Sequence, residues 1–272
     1  MYLKQNLFMN TKLNLFFSLL FLVINSYSNA QPITCGAPDF TTTCDAACVM
    51  CGDIDGTMLT TLENMGGSLP QGFCTAFSHT SSWIGFIAGS TDLVIRVTVG
   101  ACTGVATEMG IYEGCNCSDY QLVSNCNTMM NAGALYDFTA SGLDIGKYYW
   151  FVFDGNGESA CDVTFNVMSG STGASGPPQV GPMMGERLVC LDDLEDYSIP
   201  EVSAACGYTW DLEGGGTIVS PTNSNMISIQ WTTPGVWELC VEPEVICATA
   251  TQECILIEVE DELQPTELED EY

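Results

Sequence analysis

The stretch FVFDGNGESACDVTFNV, Phe151 to Val167, sets Asp154, Asn156 and Glu158 at alternate positions between two apolar runs. Oxygen-bearing side chains in that spacing suit a calcium loop, the acidic half of a hydrolytic site, or a polar turn. An EF-hand loop also needs a sharp-turn glycine at its sixth position and a bidentate glutamate at its twelfth. Counted from Asp154, those places hold Ser159 and Phe165, which excludes the EF-hand. A looser calcium site stays open, in which Asp53 and Asp55 of GDIDG join Asp154, Asn156 and Glu158. The competing reading is a hairpin turn. Gly155 and Gly157 permit positive φ, and Asp154 and Asn156 are side chains that bond back to turn amides.

Hydrolytic chemistry finds less support. A glycosidase needs two carboxylates facing each other at roughly 5–9.5 Å, one of them desolvated. The sequence shows no carboxylate in an apolar surround that would raise its pKa. His79, in FSHTSSWIGFIAGS, is the only imidazole and so the only base for a serine or cysteine triad. It lies at the mouth of a strand among small polar residues, where a structural role near Trp83 is expected. Cys115 and Cys117 of GCNC read as a bridged turn, because redox pairs usually space their thiols by two residues. No enzyme is expected, and no cofactor other than calcium.

The elements that would position these residues are strands. In TDLVIRVTVGAC, Leu93, Ile95, Val97 and Val99 alternate with Val94, Arg96 and Thr98. KYYWFVFDG sets Tyr149, Phe151 and Phe153 on one face, answered by Val163, Phe165 and Val167 of CDVTFNV. NMISIQW, GVWELCV and CILIEV repeat the period of two further on, and no useful window has a period of 3.6. The class is therefore all-β, with two antiparallel β-sandwiches stapled by disulfides.

Composition divides the chain. Residues 1–30 read as a signal peptide: Lys4 and Lys12, the apolar run Leu13–Ile24, then small residues before a cut after Ala30. That run is too short to span a bilayer. Residues 31–168 form a cysteine-rich sandwich, 169–185 a Gly/Ser/Pro linker, 186–259 a second sandwich and 260–272 an acidic tail. After cleavage, Arg96, Lys147 and Arg187 face all 34 carboxylates. Such a surface repels phosphate backbones and anionic lipids and attracts divalent cations, so neither nucleic acid nor membrane insertion is expected. Export to an oxidising space makes most of the 15 cysteines disulfides. Cys240 and Cys254, on the outward parity of neighbouring strands, are the pairing the alternation suggests.

Taken in order, CDAACVMCGDIDG, WIGFIAGSTDLVIRV, GIYEGCNCSDYQLVSNC and GKYYWFVFDGNGESACDVTFNV resemble a jelly-roll-like module of secreted multidomain surface proteins of gliding bacteria. YTWDLEGGGTIVS, NMISIQWTTPGVWELCV and CILIEV resemble the PKD-like modules that often follow it. The resemblance implies type IX export and a non-catalytic structural or adhesive role against an extracellular polysaccharide or protein surface. A second reading is a calcium-assisted carbohydrate-binding accessory protein. Tyr112, Tyr120, Tyr148 and Trp150, on or near outward parity, would then stack on sugar rings.

Overall fold

The computed structural model describes residues 32–261 except 64, 76, 77 and 175. The segment expected to be a signal peptide and nearly all of the acidic tail lie outside the described residues. Within them the chain is all-β, with one 3-10 turn at Cys44–Ala46 and no α-helix.

The first module is built on eight strands. They are β3 (Met58–Thr60), β4 (Ser81–Ile87), β5 (Asp92–Cys102), β6 (Ala106–Glu113), β8 (Asn127–Asn131), β9 (Leu135–Ser141), β10 (Tyr148–Asn156) and β11 (Cys161–Ser169). One sheet runs β3–β11–β5–β9 and the other β4–β10–β6–β8. Every connection among the eight crosses between sheets except β6 to β8, which gives the double Greek-key wiring of a jelly roll. Three short strands widen the second sheet. β2 (Cys48–Met50) pairs with β4 and β1 (Ile33–Thr34) with β2, both in parallel, while β7 (Gln121–Leu122) pairs with β6. The expected antiparallel pairing holds for the sandwich proper, and the cysteine-rich N-terminal segment adds the parallel edge.

Between the sheets, Ile95, Val97, Val99, Phe151, Phe153, Val163 and Phe165 close a core that the period of two foretells. The other face of the β4–β10–β6 sheet is buried as well. Trp83, Tyr112, Tyr148, Trp150 and Val152 point away from the sandwich, yet each is under 5% exposed. A third layer of cysteine-rich loops covers them, and the rings bond to it. Trp83 Nε1 donates to Ser68 O at 2.7 Å, Trp150 Nε1 to Gly114 O at 3.0 Å, and Tyr148 Oη to Cys115 O at 3.0 Å. Strands buried on both faces read as unbroken apolar runs, which is the pattern of YYWFVF.

The second module has seven strands. β12 (Leu188–Cys190), β18 (Glu253–Glu260), β17 (Gly235–Pro243) and β14 (Tyr208–Leu212) form one sheet in that order. β13 (Leu194–Ser198), β16 (Met226–Trp231) and β15 (Gly216–Ile218) form the other. β12 runs parallel to β18 and all other pairs are antiparallel, an immunoglobulin-like arrangement around Tyr197, Ile227, Ile229, Trp231 and Ile257.

The Gly/Ser/Pro stretch is not a free spacer. Gly173 N donates to Ile87 O and Ala174 N to Cys51 O, which lays the start of the stretch along the first module. Met183 is buried in the second core, and Met184 bridges to Ser198. Small residues are used here for close backbone approach: a Cβ on Gly173 would lie 3.0 Å from the Gly52 carbonyl carbon.

Disulfides complete the frame. Cys35–Cys48, Cys44–Cys117, Cys74–Cys126 and Cys102–Cys161 lie within the first module, and Cys240–Cys254 within the second. Cys51–Cys247 and Cys115–Cys206 join the two modules. Cys115 and Cys117 therefore part company. Reading GCNC as one bridged turn is corrected: Cys117 staples the covering layer and Cys115 reaches the neighbouring module.

The third layer makes a specific demand on Gly85, opposite Trp150 on β4. A Cβ there would lie 2.7 Å from Val49 Cγ2 and 3.2 Å from the Trp150 ring. Gly85→Ala should lower stability by about 1–3 kcal/mol, the usual scale of overpacking. Chemical denaturation of the wild type and the variant checks it.

Candidate functional site

Alternation along β10 sends Asp154 outward, on the same face as Trp150 and Val152. The register sets it opposite Glu108 on β6 and Ser81 on β4. Asp154 is a strand residue, not a turn residue. The chain turns at Gly157–Ala160, and β10 and β11 lie in different sheets, so the turn is an arch across the sandwich in place of the expected hairpin.

Asp154 is fully buried and Glu108 is 3% exposed. Two carboxylates opposed on adjacent strands beneath a loop repel each other and lose their hydration, so each needs its own partners. Asp154 Oδ1 accepts the backbone N–H of His79 at 2.9 Å and of Thr80 at 2.8 Å, and Oδ2 meets His79 Nδ1 at 3.1 Å. Glu108 Oε2 accepts the Thr75 hydroxyl at 2.6 Å. Burial raises the Glu108 pKa above the ordinary carboxylate range. The Thr75 hydrogen bond draws it back, the Asp154 charge raises it further, and His79 lowers it. The expectation that no carboxylate sits in an apolar surround is overturned here. The signal was present in ATEMGIYE, where Glu108 shares its parity with Gly110 and Tyr112.

The remaining calcium candidates lie elsewhere. Asp53 Oδ1 accepts the Asp55 N–H and the Thr172 hydroxyl. Asp55 Oδ1 accepts the Val167 N–H at 2.9 Å, which ties its loop to β11 in the opposite sheet from Asp154. Asn156 ends β10 half-buried, and Glu158 is exposed in the arch with φ 66°. The five residues do not form one ligand set. Among the described residues, Glu238, Cys240 and Cys254 are the three side chains close enough to share an ion, and those two cysteines are disulfide-bonded.

The aromatic candidates are corrected by the third layer. Tyr112, Tyr148 and Trp150 are buried and Tyr120 is half-buried against Trp83, with ring centroids 5.2 Å apart. Their outward parity is real. Loops and the neighbouring module cover that face, so no sugar can stack there. Burial raises the phenol pKa values of Tyr112, Tyr120 and Tyr148 and moves Tyr149 to about 12.

Chemically, Asp154 and His79 make the orienting half of a triad. The ring Nδ1 meets Asp154, and the Thr75 hydroxyl donates to Glu108. The arrangement works as a latch. It anchors the segment before β4 onto the sheet, immediately beyond the Cys74–Cys126 disulfide.

At the junction of the modules, Cys206, Ile246 and Cys247 of the second module pack against the covered aromatic cluster of the first. The PKD-like domain family matches residues 176–257, a span that takes in both junction cysteines. The second module is a PKD-like domain. Its match begins within the Gly/Ser/Pro stretch, in keeping with the packing of Met183 into its core. No curated protein matches the sequence. Among solved structures, a putative membrane anchored protein from Corynebacterium diphtheriae is 10% identical with a TM-score of 0.27, over 86% of this chain and 55% of that one. A beta-1,2-glucanase from Parabacteroides distasonis is 7% identical with a TM-score of 0.22, over 77% of this chain and 38% of that one. This chain thus spans about half the length of the first of these, and likenesses at that level carry no functional assignment.

Replacing Asp154 by Ala leaves the N–H groups of His79 and Thr80 without their carboxylate acceptor. The expected loss is about 2–4 kcal/mol, the scale of stranded buried donors. Faster amide exchange at residues 79 and 80 than at β5 would locate the effect in the latch.

Proposed function

We propose that this protein is a non-catalytic structural module of the cell exterior, exported and displayed at the surface in the manner of the gliding-bacterial proteins it resembles. It holds a spacing and offers adhesive contact to an extracellular polysaccharide or protein surface. The observation that carries this reading is the pair of disulfides, Cys51–Cys247 and Cys115–Cys206, that cross from the jelly-roll module to the PKD-like domain. Sandwiches joined by a free linker swing. Here two covalent ties and a shared apolar cluster fix the angle between them, which suits a strut that transmits load. Each tie encloses a long loop, and chain-entropy estimates for such loops reach about 4–5 kcal/mol. Fourteen paired cysteines support an oxidising compartment. The excess of acid supports a partner other than nucleic acid or anionic lipid.

Cys51→Ser combined with Cys206→Ser removes both ties. Solution scattering should then show a larger radius of gyration, and limited proteolysis should cut near 175–180 faster than in the intact protein. An unchanged profile would sink the load-bearing role. Protease treatment of intact producing cells should remove the chain from their surface, and recovery of the chain only from the cytosol would reject the localisation. Any hydrolytic turnover lost in His79→Ala would replace the reading with an enzyme.

A further inference from the structure

The latch holds one contact whose chemistry exceeds anchoring. The Thr75 hydroxyl lies 2.6 Å from Glu108 Oε2, a carboxyl that is 3% exposed and opposes the fully buried Asp154 across the strands. Thr75 is held in place from the chain itself, because its neighbour Cys74 is bonded to Cys126. We propose that Thr75 and Glu108 condense into an intramolecular ester that welds the covering loop to β6.

The atoms balance without any co-reactant. Thr75 Oγ attacks the carboxyl carbon of Glu108 in its acid form, and a new Oγ–Cδ bond replaces the bond from that carbon to its hydroxyl. The Thr75 proton joins the departing hydroxyl, and one water leaves. Asp154, opposite on β10, and the His79 ring are the titratable groups that act on the Glu108 carboxyl. Burial and the Asp154 charge both favour the acid form of Glu108 that the reaction needs.

In open water such an ester would hydrolyse, since water competes as the nucleophile. Two factors reverse the balance here. A hydroxyl and a carboxyl held in contact reach effective molarities of about 10⁵–10⁸ M, far above the concentration of water itself. The near-complete burial of Glu108 also limits the approach of water to the bond.

Mass spectrometry decides the matter on the mature full chain, reduced and alkylated so that disulfides contribute nothing. The expected mass falls short of the sequence by one water, with a cross-linked peptide joining the segments around Thr75 and Glu108, and hydroxylamine cleaves the link. Thr75→Val should restore the full mass. Thr75→Ser keeps a hydroxyl and should retain the deficit. Glu108→Gln should condense with loss of one ammonia. A wild-type chain at full mass overturns the proposal, and so does a deficit that persists in Thr75→Val.

Discussion

A sheet with large aromatic side chains on both faces cannot stand in water with one face bare. Trp83, Tyr112, Tyr148 and Trp150 project from the outer side of β4, β10 and β6, and each such ring buries roughly 150–250 Å² when covered. Left open, they would form an apolar patch larger than soluble monomers usually tolerate. Most of what is unusual here follows from that face. The N-terminal segment has little secondary structure of its own because its task is to lie across the rings. The covering layer accepts their N–H and O–H groups at backbone carbonyls of Ser68, before β4, and of Gly114 and Cys115, in the loop after β6.

A layer made of loops contributes few backbone ladders and loses much conformational entropy on ordering. Cross-links offset that loss where ladders cannot. Four disulfides pin the layer and its sandwich, and the last part of the cover comes from the PKD-like domain, whose Cys206, Ile246 and Cys247 complete the apolar cluster. The two modules are thus mutually dependent at one surface while each keeps a separate core. That separates them from beads on a string, and it explains why two cysteines of the first module find partners only in the second.

Legibility from sequence followed the length scale of each interaction. The period of two in TDLVIRVTVGAC, CDVTFNV and NMISIQW reports contacts between a strand and its own sheet, and both sandwiches could be read from it. The third layer is a long-range event. Parity correctly sends Tyr148 and Trp150 outward, but outward is not exposed once a distant segment folds over them. The continuity of YYWFVF was the local hint. Gly/Ser/Pro composition at 169–185 suggested slack, whereas close packing of small residues against Gly52 and Ile87 uses the same composition to opposite effect. The cross-module disulfides left no local trace at all, since spacing between cysteines says nothing about partners 91 or 196 residues away.

The acidic pair shows how a buried polar site can fix a loop. Asp154 beside His79 has the outline of catalytic machinery, and in isolation would invite that assignment. Its partners also give it a structural use. Both oxygens face inward donors from the segment just before β4, so the charge is used to fix a loop in place. Lifting the covering loop would strand both carboxylates and expose the aromatic row in one step. That coupling makes the latch a good closure: the loop cannot lift without forfeiting the polar and the apolar contacts together.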